Sequence, residues 1–184
     1  MRLFVAVDFS QEIKEVLWNR VGQLKDDFPQ VSWVGPENIH LTLKFLGGVE
    51  SRKLPEIKKA ITESIKNIPP FKLTFTDFGY FDKSYLVIWL GVEPVKTLKD
   101  LVKNIERETR KLGFSSEKRA YFPHVTFGRG KNLTKPLVTE IKEKIKKLDF
   151  SISIDLTVFE IVLMQSTLSP QGAFYKPLAR FALS

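Results

Sequence analysis

The sequence predicts an α+β fold in which two lobes repeat one structural unit. Three observations carry that expectation. A strand–helix–strand–helix–strand pattern of apolar residues occurs twice, both copies keep nearly the same internal spacing, and each holds one of the chain's two histidines. From Val5 to His40 is 35 residues, and from Ile88 to His124 is 36. The copies cover approximately residues 1–84 and 85–184, and each is too short to bury a comfortable core alone. No Gly/Ser-rich or Pro-rich linker separates them, so the 184 residues read as a single bilobed domain. Each lobe is expected to be an antiparallel or mixed sheet with helices on its outer face. The equivalent central strands would then face a central groove between lobes related by a pseudo-twofold axis.

In the first copy, "LFVAVDF" (3–9) reads as a strand, and Ile13, Val16, Leu17, Val21 and Leu24 in "QEIKEVLWNRVGQL" recur at helical spacing. A connector, "FPQVSWVGPEN", leads into the strand "IHLTLKFL", which ends at Gly47 and Gly48. Leu54, Ile57, Ile61, Ile65 and Ile68 mark the next helix, after which "PPFKLTFTDFGYF" starts a strand. The second copy runs in the same order. "YLVIWLGV" is a buried-type strand, and Val95, Leu98, Leu101, Val102, Ile105 and Leu112 mark a helix. "GFSSEKRAYFP" connects it to the strand "HVTFGR", where Gly128 and Gly130 close the unit. Leu137, Val138, Ile141, Ile145 and Leu148 then give a helix, and "FSISIDLTVFEIVLM" a long strand.

Composition narrows the chemistry. No apolar run approaches the ~20 residues that span a bilayer, and "MRLFVAVDFS" lacks the parts of a signal peptide, so a cytoplasmic location with no membrane contact is expected. The absence of cysteine excludes disulfides, thiolate catalysis and cysteine-ligated zinc. With two histidines and no tight Asp/Glu cluster, no metal site and no cofactor are expected. The formal net charge of +8 suits a polyanionic partner such as nucleic acid, although stretches such as "TEIKEKIKKL" also have the pattern of a solvated helix face.

The histidines occur as "HLTL" at 40–43 and "HVTF" at 124–127. With 11 threonines in 184 residues, the chance that both histidines carry Thr two positions on is about 0.4%. Strand alternation puts His40, Thr42 and Lys44 on one face and Leu41, Leu43 and Phe45 on the other. The same parity pairs His124 with Thr126, and Val125 with Phe127. If the apolar set packs under the helices, two imidazoles and two hydroxyls converge on the groove. Such a set suits acid/base chemistry on a phosphate ester, because an imidazole of ordinary pKa, about 6.5, can both take and give a proton near neutrality. Threonine hydroxyls can donate to phosphate oxygens, and Arg129 is the candidate cation for the transition-state charge. Simple alternation puts Arg129 on the wrong face, so Gly128 is expected to host a bulge or a strand end. Phe9, Tyr121, Phe122 and Tyr175 are candidates for stacking on bases.

These motifs, together with "MRLFVAVDF", "NIHLTLKFLG", "YFPHVTFGR" and "FEIVLMQSTLSPQGAFYKPLARF", resemble the 2H phosphoesterase superfamily over essentially the whole chain. Within it, the chain is similar to the bacterial and archaeal RNA 2′,3′-cyclic phosphodiesterases, also called 2′-5′ RNA ligases. The resemblance implies hydrolysis of a 2′,3′-cyclic phosphate at RNA 3′ ends to a 2′-phosphate, without metal or ATP, and in some members reversible 2′-5′ joining of tRNA halves. It implies His40 as proton donor and His124 as proton acceptor, with Thr42, Thr126 and Arg129 on the phosphate. The symmetry of the two motifs leaves the exchange of the histidine roles open. Other readings are a non-catalytic RNA-end or tRNA-binding module, and a phosphodiesterase for 2′-5′ oligonucleotides or small cyclic nucleotides. The chain is expected to act as a monomer.

Overall fold

The computed structural model describes residues 1–117, 119–148, 154, 156–169 and 172–184. In chain order its strands are β1 (Arg2–Asp8), β2 (Ser32–Trp33), β3 (His40–Gly48), β4 (Phe71–Leu73), β5 (Phe75–Asp82), β6 (Leu86–Val92), β7 (His124–Gly130), β8 (Leu156–Val158), β9 (Glu160–Ser169) and β10 (Gly172–Ala182). The helices are α1 (Gln11–Asn19), α2 (Gly22–Asp27), α3 (Leu54–Ser64), α4 (Lys96–Arg110) and α5 (Lys135–Ile145). Among the described residues no helix is long and apolar enough to cross a membrane.

Five consecutive apolar residues, Leu3 to Val7, make β1 a strand buried on both faces, as a mid-sheet position requires. It pairs antiparallel with β3 and with β9, and β10 folds back on β9. A second arm consists of β5, β6 and β7, also antiparallel. The arms join where β3 meets β7 at one pair, Leu41 opposite Val125, which gives the order β10-β9-β1-β3-β7-β6-β5. Along β7, β2 takes the adjoining edge, with Ser32 opposite Arg129 and Trp33 opposite Gly128. A separate two-stranded ribbon is formed by β4 and β8. The α+β class and the antiparallel sheets match the expectation from sequence.

Apolar residues of one strand parity, including Val5, Leu41, Ile88, Val125 and Phe127, form one core with Leu17, Ile57, Ile61, Leu101, Ile105 and Ile141 of the helices. The opposite face carries a small separate cluster, Phe4, Ala6, Val162 and Met164, with Tyr175 against it.

Three elements depart from the sequence reading. The helix expected over residues 11–24 is split at Val21, whose φ of −103° and ψ of 2° leave the helical region just before Gly22, a weak helix former. β10 was not expected, because Pro177 and polar residues interrupt "GAFYKPLARFA". It is an outer strand whose register shifts between Pro177 and Ala179, where a missing N–H is tolerated. The long final strand breaks between Val158 and Glu160, leaving Phe159 exposed. The start of that stretch, residues 150–153 and 155, lies outside the described residues.

Two bulges decide which side chains face away from the helices. Residues directly opposite each other in a sheet share a face. In β3 the pairs Asp8–His40, Ala6–Thr42 and Phe4–Phe45 share the face of the small cluster, but the step between Val5 and Ala6 passes over Leu43. The extra residue reverses parity, so Lys44, opposite Val5, turns toward the helices and Phe45 turns outward. Lys44 therefore does not share the His40 face. It is only 6% exposed, and its Nζ donates to Glu106 Oε1 at 2.8 Å and to the Ser115 carbonyl at 3.0 Å.

Lys44→Ala strands a largely buried carboxylate and a carbonyl, and is expected to lower unfolding free energy by about 2–3 kcal/mol. Urea denaturation measures this. A loss below about 0.5 kcal/mol would mean that Glu106 is solvated well enough to stand alone.

Candidate active site

Each histidine starts its strand directly after a chain segment whose carbonyl captures it. His40 Nδ1 lies 2.7 Å from the Asn38 carbonyl, and His124 Nδ1 lies 2.8 Å from the Phe122 carbonyl. A carbonyl only accepts, so in both rings Nδ1 carries the hydrogen and the neutral ring keeps its lone pair on Nε2. His40 Nε2 lies 3.0 Å from Thr42 Oγ1, which then donates to it. The Leu41–Val125 pair points into the core, so its strand neighbours stand on the other face, His40 across from Thr126 and Thr42 across from His124. All four polar residues of the two motifs are thus brought together.

Arg129 joins them. In β7 the pairs Gly91–His124 and Trp89–Thr126 share a face, and the step between Ile88 and Trp89 passes over Phe127. The bulge at Phe127 and Gly128 puts Arg129, opposite Val87, back on the histidine face. A Cβ on Gly128 would come within 2.8 Å of Val31 and 3.1 Å of Trp33, so this bulge needs glycine where β2 closes over it. The parity conflict at Arg129 is resolved by the first of the two routes expected, and the positive charge of Arg129 is felt at both imidazoles.

Both imidazoles are held below their ordinary pKa, not near it as the sequence suggested. His40 is lowered to about 4, chiefly by burial, with Lys14 and Arg129 acting in the same direction and the Asn38 carbonyl and Asp8 against it. His124 is lowered by burial and by Arg129, against the Phe122 carbonyl. The burial is aromatic. Phe4 and Tyr175 lie 4.9 and 5.1 Å from the His40 ring, while Phe81 and Phe122 lie 5.1 and 6.1 Å from His124. Asp8, directly opposite His40, is held by Lys14 at 2.7 Å.

The stacking candidates separate. Phe9 is core, 5% exposed and edge-on to Phe75. Tyr121 is a brace, donating its hydroxyl to the Thr42 carbonyl at 2.9 Å, with its pKa pushed up by burial. Tyr175 packs edge-on to His40, and Phe122 is 48% exposed beside Trp89 and His124. Sequence reasoning missed Asp8, Phe4, Phe81 and Trp89. Asp8 had a signal, since it ends the strand next to that of His40. The aromatics had none, because their proximity is tertiary. Among the described residues no three His, Cys, Asp or Glu side chains are grouped so as to hold a metal ion.

The model of the 2′-5′ RNA ligase superfamily matches residues 13–169. An RNA 2′,3′-cyclic phosphodiesterase of Thermotoga maritima is 35% identical over 97% of this chain and 93% of its own. One of Archaeoglobus fulgidus is 36% identical over 98% and 99%. Among solved structures, E. coli LigT complexed with 3′-AMP is 28% identical with a TM-score of 0.77, covering 100% of this chain and 98% of that one.

Because the folded-state pKa of His40 lies below the unfolded value of about 6.5, the unfolded chain binds more protons in between. Stability from this group is complete above pH ~6.5 and is lost as pH falls toward 4. Imidazole NMR titration of the ligand-free protein should show His40 with a midpoint near 4 and neutral at pH 7. A midpoint of 6.5 or higher would show that water reaches the ring.

Proposed function

The chain belongs to the 2′-5′ RNA ligase superfamily, and we propose that it hydrolyses 2′,3′-cyclic phosphates at RNA 3′ ends to 2′-phosphates. The observation that carries this reading is the convergence of two carbonyl-locked imidazoles, two threonines and Arg129 beside the Leu41–Val125 pair. The relatives named RNA 2′,3′-cyclic phosphodiesterase supply the substrate.

In the proposed reaction, the lone pair on His124 Nε2 takes a proton from a water whose oxygen attacks phosphorus. The bond from phosphorus to the 3′ oxygen breaks, and that oxygen receives a proton from His40 Nε2. Thr42, Thr126 and Arg129 donate to the non-bridging oxygens as charge builds on them. His40 must enter the step protonated, against its lowered pKa. The anionic phosphate offsets Arg129 and gives the imidazolium a counter-charge, so the acid form accumulates with substrate bound. With the 5′ hydroxyl of a second RNA in place of water, the same groups in the same roles open the cyclic phosphate to a 2′-5′ phosphodiester: His124 takes the hydroxyl's proton, the bond from phosphorus to the 3′ oxygen breaks and His40 protonates that oxygen, with tRNA halves as the proposed substrates. In this reading the chain acts as one bilobed domain, with halves of approximately 1–84 and 85–184, and as a monomer in the cytoplasm.

The test is incubation with an oligoribonucleotide ending in a 2′,3′-cyclic phosphate and identification of the product. A 2′-phosphate is expected, unaffected by EDTA. Binding without product would leave only an RNA-end-binding role. His40→Ala and His124→Ala should each lower kcat/KM by about 10² or more, and near-normal turnover in either would remove that histidine from the mechanism. The pH profile of kcat/KM should be bell-shaped with its optimum below about 6.5, since both limbs belong to imidazoles lowered in the free protein. An optimum above pH 7.5 would assign the limbs to other groups.

A further inference from the structure

Beyond the histidines, β3 leads to a second concave site. Phe45 is the most exposed large apolar side chain among the described residues, at 70%, and the bulge at Leu43 turns it to the His40 face. Two ring contacts connect it to that histidine: His40 to Phe4 at 4.9 Å, and Phe4 to Phe45 at 6.1 Å. Beside Phe45 opens a cavity of about 460 Å³, within the range of small-ligand pockets, bounded also by Gly47, Gly48, Lys53, Gly113 and Phe114. The three glycines present bare backbone, and a Cβ built on any of them would meet nothing within 4 Å. Lys53 Nζ lies over the Phe114 ring, 6.0 Å from its centroid. None of these residues touches the histidines.

A phenylalanine left 70% exposed is a standing cost in water, and it is offset when another flat apolar surface covers it. An aromatic platform, a second ring carrying a cation, and open glycine backbone are the parts of a sequence-tolerant single-stranded nucleic-acid subsite. Among the described residues Lys53 is the one charged residue of the lining, and with the chain's net charge of +8 it favours a polyanion there over a neutral ligand. In β7 the position matching Phe45 is Arg129, opposite Val87 as Phe45 is opposite Phe4. The two bulges thus offer a cation on one strand and a flat ring on the other.

We propose that Phe45 and the cavity beside it form a subsite for the penultimate nucleotide of the RNA, its base stacked on Phe45 and its phosphate on Lys53. This rests on the cyclic-phosphate reading above and deepens it, because it says where on the protein the RNA chain continues beyond its terminal nucleotide.

The experiment compares kcat/KM for a 2′,3′-cyclic mononucleotide with that for a short oligoribonucleotide bearing the same terminal nucleotide and cyclic phosphate. In the unaltered protein the oligonucleotide should be preferred. Phe45→Ala should lower the oligonucleotide-to-mononucleotide ratio by about tenfold or more, the worth of one stacked base. Lys53→Ala should reduce the slope of log(kcat/KM) against log salt for the oligonucleotide by about 0.7, one phosphate contact on a single strand. Phe45 and Lys53 are exposed, so neither change threatens folding. Ratios and slopes equal to those of the unaltered protein would show that RNA does not use this cavity, while turnover of both substrates upheld the reading on which it rests. Absence of turnover on both substrates would remove that reading, and this inference with it.

Discussion

The site depends on a contact between two strands that, among the described residues, pair at one position. Leu41 and Val125 are both fully buried, and theirs is the only β3–β7 ladder pair among the described residues. Hydrophobic burial on the helix side presses these two residues together, and the pleat then delivers His40, Thr42, His124 and Thr126 to the opposite face. The Asn38 and Phe122 carbonyls then fix the two rings on that face. The apolar half of each motif positions the polar half, and it does so on strands, which hold geometry more tightly than loops.

Around that pair, departures from regular strand geometry carry as much of the chemistry as the strands do. An extra residue at Leu43 buries Lys44 against Glu106 and turns Phe45 outward, and an extra residue at Phe127 returns Arg129 to the imidazoles. Each bulge has its own local support. Lys44 finds two acceptors on and after α4, while Gly128 leaves room for Val31 and Trp33. A perfectly alternating pair of strands with the same sequence would present a lysine on one wall and leave the other without its arginine.

The aromatic surroundings set the proton chemistry. Phe4 and Tyr175 on one histidine, Phe81 and Phe122 on the other, exclude water and favour the neutral rings, and Arg129 adds to that bias. The carbonyls of Asn38 and Phe122 choose the tautomer. A ligand-free site of this kind is loaded with bases and lacks an acid until an anion arrives, which links protonation to binding.

Much of this was legible from residue order alone. The α+β class, most helices, the strands bearing the histidines and the two His-x-Thr motifs follow from periodicities of 2 and 3.6, which depend on neighbours a few residues away. The family likeness was legible too, because those motifs sit in long matching contexts. What could not be read is whatever depends on a partner distant in the chain. Whether Leu43 or Phe127 is passed over is settled by strands β1 and β6, forty or so positions away, so the faces of Lys44, Phe45 and Arg129 had no local signature. The lowered imidazole pKa values come from rings on β1, β5 and β10, and β10 itself was hidden by a proline that an outer strand tolerates. Local pattern specifies which groups exist and on what kind of element. Packing between remote segments specifies where they point and what charge they hold.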